Sequence, residues 1–242
     1  MPRLPVISAF GTPKDYPKMK ICTYIMTSDT GFAPNPFYGY CTLAACTPNH
    51  MHALLDKGDY ITGFFTDRSV PYLVYWLKVD EVLDYDEYFH DPRFSRKRPN
   101  LAGTWISRCG DNIYCRDKSG GWIQKDTLYH KETDLFEKDT RYAVVYIGRT
   151  FSYFGASAYS QSNLLPANSR DALKKGKGIK YTREMHQYFI EYLSWLNSKP
   201  LGRHGIPRDR DKLRECTSEN QRNNNNNCRT TACRRRLVNS RL

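Results

Sequence analysis

The sequence predicts an α+β fold: a small mixed or antiparallel β-barrel or sheet, a few flanking helices and a disordered basic C-terminal tail. Three observations carry this. Runs of β-branched and aromatic residues recur at Lys20–Thr27, Tyr60–Thr66, Pro71–Leu83 and Arg141–Arg149, a composition that suits a pleated, half-buried surface. Thr182–Asn197 alone carries clear helical spacing, with Met185, Phe189, Leu193 and Leu196 on one face. After Pro207 the chain turns polar and basic, with an asparagine homopolymer at Asn223–Asn227, and offers almost no apolar surface to bury.

The elements follow in order. Residues 1–19 hold four prolines and read as an extension. The strand Lys20–Thr27 leads into a turn-rich loop, Ser28–Tyr40, whose two glycines and two prolines exclude regular structure. Cys41–Cys46 reads as a short strand stopped by Pro48, and Asn49–Asp56 as a short helix with Asn49 as N-cap. Lys57-Gly58-Asp59 turns the chain into the strand Tyr60–Thr66. Pro71–Leu83 is the strongest strand signal. Asp84–Phe94 reads as a loop or one helical turn broken by Pro92, and Arg96–Asn100 as a basic turn. Residues 101–130 hold short strands around turns at Cys109–Asn112 and Ser119–Gly121. The strand Arg141–Arg149 runs on into Thr150–Ala156, and Leu164–Lys180 is a polar connection to the helix, which Pro200 stops. The expected division is therefore an extension over 1–19, a folded domain over 20–207 and a tail over 208–242.

The 242 residues are 40% hydrophobic, enough for one sizeable core. Aromatics make up 14% and 18 of them are tyrosines, stiff amphipathic side chains that suit stacking as well as strands. Of the net charge of +12, residues 203–242 carry +7, so the globular part is only mildly basic. Such a tail raises affinity for phosphate backbones without sequence preference, and the alternative is a solubilising segment. Neither an export signal nor an apolar run of membrane-spanning length is present, so a cytoplasmic protein with reduced thiols is expected. Cys41, Cys46, Cys109 and Cys115 are spaced too loosely for a usual zinc site, and no metal or cofactor is expected. Phosphate-binding glycine loops, dinucleotide fingerprints and serine nucleophile elbows are all lacking.

Lys20–Pro48 (KICTYIMTSDTGFAPNPFYGYCTLAACTP) resembles the opening of the nucleotide modification associated domain 2 family. Asp86–Phe94 (DEYFHDPRF), Cys109–Tyr114 (CGDNIY) and Tyr153-Phe154-Gly155 match the same pattern in order, over about residues 20–205. The resemblance implies a context of hypermodified nucleic-acid bases, often in phage genomes, with nucleic acid or nucleotide as partner and other base-modification enzymes nearby. A second likeness, by analogy only, is to the PUA-like superfamily with its EVE, ASCH and YTH domains. It rests on Gly58-Asp59, Pro71–Leu83 and Phe89-His90-Asp91-Pro92, and implies a small barrel that captures a base.

Three blocks hold the candidate residues. In the loop, Phe32, Phe37, Tyr38 and Tyr40 offer stacking surfaces, and Asp29 and Asn35 offer contacts to a base edge; the alternative is a packed structural loop. In the second block Asp111 is a candidate general base and Asn112 an amide contact, with Tyr114 beside them; the alternative is turn chemistry. Cys109 is a candidate nucleophile if His130 or His90 lies near it. Arg93, Arg96, Lys97 and Arg98 beside Tyr88 and Phe89 suit a phosphate backbone running past a base pocket, or a solvated basic loop. Asp29 is expected to share one pocket with Asp111 or Asn112. Three functions stand open: a module that recognises a modified base or nucleotide in an aromatic-lined pocket, an enzyme using Asp29 or Asp111 as acid/base, and a structural subunit with no site of its own.

Overall fold

The computed structural model describes residues 19–45, 54–68, 70–129, 133–160, 178–180 and 186–210. The first part of the chain gives β1 (Lys20–Ile25), β2 (Cys41–Leu43), β3 (Tyr60–Asp67), β4 (Val70–Lys78) and β5 (Glu81–Asp84). Then come α1 (Tyr85–His90), a 3-10 helix at Pro92–Lys97, α2 (Trp105–Arg108), β6 (Tyr114–Arg116) and β7 (Trp122–Gln124). The last part gives α3 (Thr133–Arg141), β8 (Val144–Gly148), β9 (Phe151–Tyr153), β10 (Tyr159–Ser160), β11 (Gly178–Lys180), α4 (His186–Asn197) and β12 (Gly202–Arg203).

The strands form three open sheets, so the sheet alternative holds, and among the described residues none closes into a barrel. The large sheet runs β11-β1-β3-β4-β9-β12, with β10 also on β4, and it is mixed: β1/β3 and β9/β12 are parallel, the rest antiparallel. A small antiparallel sheet runs β2-β8-β5, and β6/β7 form a separate hairpin.

Strand alternation sorts these sheets into layers. From β1, Ile21 faces a cluster with Trp76, Leu73 and the α4 residues Leu193 and Leu196, whereas Cys22 and Tyr24 face Val74, Leu77 and Tyr146 of the small sheet. From β8, Val145 and Ile147 point to a third cluster with Tyr85, Tyr88, Phe94 and Tyr114. The small sheet thus lies between the large sheet and the α1 region.

Several expectations change. Pro71–Leu83 is two strands rather than one: at Val79–Asp80 the chain crosses from the large sheet to the small one, where Asp80 N donates to Ile147 O at 2.8 Å. Of the two readings of Asp84–Phe94 the helical one holds, with the break at Asp91-Pro92: α1 starts because Asp84 accepts from Glu87 N at 2.7 Å while the Glu87 carboxylate accepts from Asp84 N at 2.9 Å, a reciprocal capping box. Arg141 ends α3, a helix not read from the sequence, so the following strand starts at Val144. The described part of α4 agrees with the expected helix; Thr182–Met185, most of Asn49–Asp56 and Leu164–Lys180, residues 1–18 of the extension and residues 211–242 of the tail, expected to be disordered, lie outside the described residues.

Candidate functional site

Asn35 and Thr42 pair across a hairpin through two backbone bonds of 2.9 and 3.0 Å. The tip between them requires left-handed backbone at Tyr38 (φ 61°) and Gly39 (φ 82°), which glycine adopts freely and tyrosine only under constraint. Pro36, Phe37, Tyr38 and Gly39 line an open groove of about 480 Å³. Ile106, Arg149, Phe151 and the segment Leu201–Arg203 complete its lining. Three exposed arginines surround this tip. Arg96 lies 4.2 Å over the Tyr38 ring and Arg203 5.7 Å over Phe37, while Arg149 donates to Tyr40 Oη at 3.0 Å. Among the described residues, none of the three has a carboxylate within ion-pair distance.

Behind the tip lies a buried polar network. Lys97 is 1% exposed, and its Nζ donates to Asn35 O and Asn35 Oδ1 at 2.8 Å, to Thr42 Oγ1 at 3.0 Å and to Tyr40 O at 3.1 Å. Thr42 Oγ1 donates on to Asp111 Oδ2 at 2.6 Å, and Tyr88 Oη donates to Asp111 Oδ1 at 2.9 Å. Burial lowers the Lys97 pKa to about 8, with Asp111 pulling the other way. Burial also raises the Asp111 carboxyl above its ordinary range, opposed first by Lys97. Every atom within hydrogen-bond distance of Nζ is an acceptor, the arrangement of an ammonium facing oxygen.

Asp29 belongs to a second buried network. Its Oδ1 accepts from Tyr153 Oη at 2.7 Å and its Oδ2 from Arg208 N at 3.1 Å. Asp209 Oδ2 accepts from Asp29 N at 2.8 Å, and Asp209 N donates to Asp29 O at 2.8 Å. Burial raises the Asp29 pKa against the two bonds it accepts. Arg208 and Asp209 fall beyond the expected boundary at Pro207, yet they seal this network, and Asp209 is buried.

The expected site residues therefore separate. Phe37 and Tyr38 line the groove. Tyr40 supports Arg149 and packs edge-on against Phe94 at 5.1 Å. Asp29 and Asp111 sit in different networks, and neither lines the groove. Asn35 is fully buried; its Nδ2 donates to Cys109 O at 2.9 Å. Asn112 braces the α1 region, donating to Tyr88 O at 3.0 Å and Phe94 O at 3.3 Å. Phe32 packs on Tyr129, and Tyr114 donates to Asp139 Oδ2 at 2.9 Å. The Cys109 sulfur lies among Thr30 O, Trp105 O and Tyr129 Oη, and burial raises its pKa, the reverse of nucleophile activation. His90 instead meets Asp86 at 3.4 Å, and His130 lies outside the described residues.

Of the four expected phosphate contacts only Arg96 lies against a groove residue, over the Tyr38 ring. Arg93 makes a fork to Glu81 at 2.8 and 2.9 Å and also binds Asp91. Arg98 donates to Phe89 O and stacks on its ring at 4.3 Å. Lys97 is an interior residue, corrected from a surface one, because its acceptors lie inside the loop. Arg149 and Arg203 were missed. Each stands at a strand end that read only as strand or tail, and no local pattern marks either.

The profile of the family described as nucleotide modification associated domain 2 matches residues 18–214. The chain matches no curated protein and no solved structure. A match over most of the chain, containing the hairpin tip, both buried networks and the segment through Asp209, places this protein in the nucleotide modification associated domain 2 family.

Proposed function

We propose that the protein binds a nucleotide carrying a modified base in the groove between the Pro36–Gly39 tip and the Leu201–Arg203 segment. The observation that carries this is the pairing of an aromatic lining with positive charge: Phe37, Tyr38 and Phe151 line the groove, Tyr38 the most exposed of the three, and Arg96, Arg149 and Arg203 stand around the tip without carboxylate partners among the described residues. Arginine forks suit phosphate oxygens, and an aromatic ring offers a sequence-tolerant face for a base. Arg96 covers one face of Tyr38, which leaves the other to the base. The groove's open side accommodates a bulky base substituent, which would project into solvent. Membership of a family associated with nucleotide modification supports the ligand class.

Titration of the full chain with ordinary and hypermodified deoxynucleosides and their 5′-monophosphates tests this. Monophosphates are expected to bind more tightly than nucleosides, and a modified base more tightly than its parent. Tyr38→Ala should weaken binding by ~1–3 kcal/mol, the usual worth of a base stacked on an aromatic ring. Arg149→Ala with Arg203→Ala should erase the advantage of the monophosphate. If both variants bind like the parent, or no nucleotide binds, the groove is not the site.

A further inference from the structure

We infer that Lys97 is a positioning residue for this groove: its buried ammonium grips both ends of the Pro36–Gly39 tip and fixes the wall on which the nucleotide would rest. The inference builds on the groove reading above. Asn35 and Tyr40 flank the tip, and Lys97 Nζ bonds the carbonyl of each, at 2.8 and 3.1 Å, together with Asn35 Oδ1 at 2.8 Å. A hairpin tip with left-handed Tyr38 has few backbone bonds of its own; Tyr40 N to Phe37 O spans 3.5 Å. One cation bonded to oxygens on both sides reinforces the single Asn35–Thr42 pair at the base of the tip.

The lysine is itself held from behind. Its carbonyl accepts from Asn112 N at 3.1 Å. Gly110 permits that approach, because a Cβ there would stand 2.4 Å from Lys97 O. Asp111 supplies the counter-charge through Thr42, within the chain Lys97 Nζ, Thr42 Oγ1, Asp111 Oδ2. Asn35 and Tyr40 of the loop, Thr42 of β2 and Asp111 thus converge on one ammonium. A lysine kept only for core stability gains little over a well-packed apolar side chain. Two tip carbonyls in its coordination shell give it a task that an apolar residue cannot perform.

The experiment compares the full-length wild type with Lys97→Met, reading hydrogen–deuterium exchange by segment and affinity for deoxynucleoside 5′-monophosphates. In Lys97→Met, exchange should rise over residues 35–42 while residues 60–78 of the large sheet keep their protection. Affinity should fall by about tenfold, the scale of one lost hydrogen bond to a charged group. Unchanged exchange over 35–42 overturns the inference, as does an equal rise everywhere, which marks a general core role. Should Lys97→Met fail to fold, Asn35→Ala removes one of the acceptors, and the same local rise over 36–42 is required of it; no local rise there overturns the inference. If the wild type binds no nucleotide, the groove reading falls on its own, and the exchange pattern still judges Lys97.

Discussion

Truncating the chain after Pro207 removes Arg208 and Asp209, residues that the sequence placed in a dispensable tail. The structure assigns them three bonds to Asp29: Arg208 N to Oδ2 at 3.1 Å, Asp29 N to Asp209 Oδ2 at 2.8 Å, and Asp209 N to Asp29 O at 2.8 Å. Two of the three involve a carboxylate, worth ~1.5–3 kcal/mol each, and the third about 1 kcal/mol. Their gross worth is therefore about 4–7 kcal/mol. Removing the segment also admits water to Asp29, which recovers part of this, so a net loss of about 2–4 kcal/mol is expected. For a domain of this size that lowers the melting midpoint by roughly 5–15 °C. The control is truncation after Arg214, where the family match ends. It keeps all three bonds and should melt within about 2 °C of the full chain, since what it removes is poor in apolar residues. Thermal unfolding of both truncations decides the matter. If the two melt together, the Asp29–Asp209 latch contributes nothing to the fold.

Two further outcomes follow from the same packing. Phe37 is 3% exposed and edge-on to Trp105 at 5.5 Å, so Phe37→Ala should cost ~3–5 kcal/mol of folding stability in urea unfolding, whereas the half-buried Tyr38 should show its loss in affinity instead; equal stability for Phe37→Ala and wild type would refute this. Lys97 binds its proton less tightly in the fold, at about 8, than in the unfolded chain, where 10.5 applies, so the unfolded state holds more protons between those values and stability rises with pH across that window. Measured relative to Lys97→Met, whose lost charge also moves the neighbouring Asp111 and Cys41, the wild type should gain stability between pH 8 and 10.5, by at most about 3 kcal/mol; a flat difference would refute the burial argument.

Strand content was legible because β-branched and aromatic runs need no partner to be recognised. Tyr60–Asp67 emerges within a residue of its expected end. What the sequence hid were changes of neighbour. The crossing at Val79–Asp80 shows in the sequence only as the acidic pair Asp80-Glu81, inside a run whose Val and Leu continue on both sides. Helix α3 was hidden because TDLFEKDTR has no glycine or proline punctuation and only one large apolar pair. The capping box at Asp84 is legible as Asp-x-x-Glu, and Pro92 marks the end of the same helix.

The candidate residues divided for a related reason. A short polar side chain after a glycine has the same local signature whether it meets a ligand or a neighbouring loop. Asp111 follows Gly110, and that glycine is needed because the backbone passes against Lys97 O, where a Cβ would come within 2.4 Å. The irregularity that marked the block as functional is thus the means by which it reaches Lys97. Asp29 likewise turns inward because Tyr153, more than a hundred residues on, donates to it. Exposure is what separates groove from core here: Asp29, Asn35, Asp111 and Asn112 are each 1% exposed or less, while the arginines at the groove remain in solvent. The polar residues of the loops brace the hairpin tip from behind, and the proposed site leaves the ligand-facing chemistry to Tyr38, Arg149 and Arg203. If this division is right, conservative changes split accordingly. Arg203→Lys keeps the charge but loses the planar fork, and should weaken nucleotide binding without moving the melting midpoint. Asp111→Asn should lower the midpoint first, because the Lys97 ammonium then sits buried without its counter-charge.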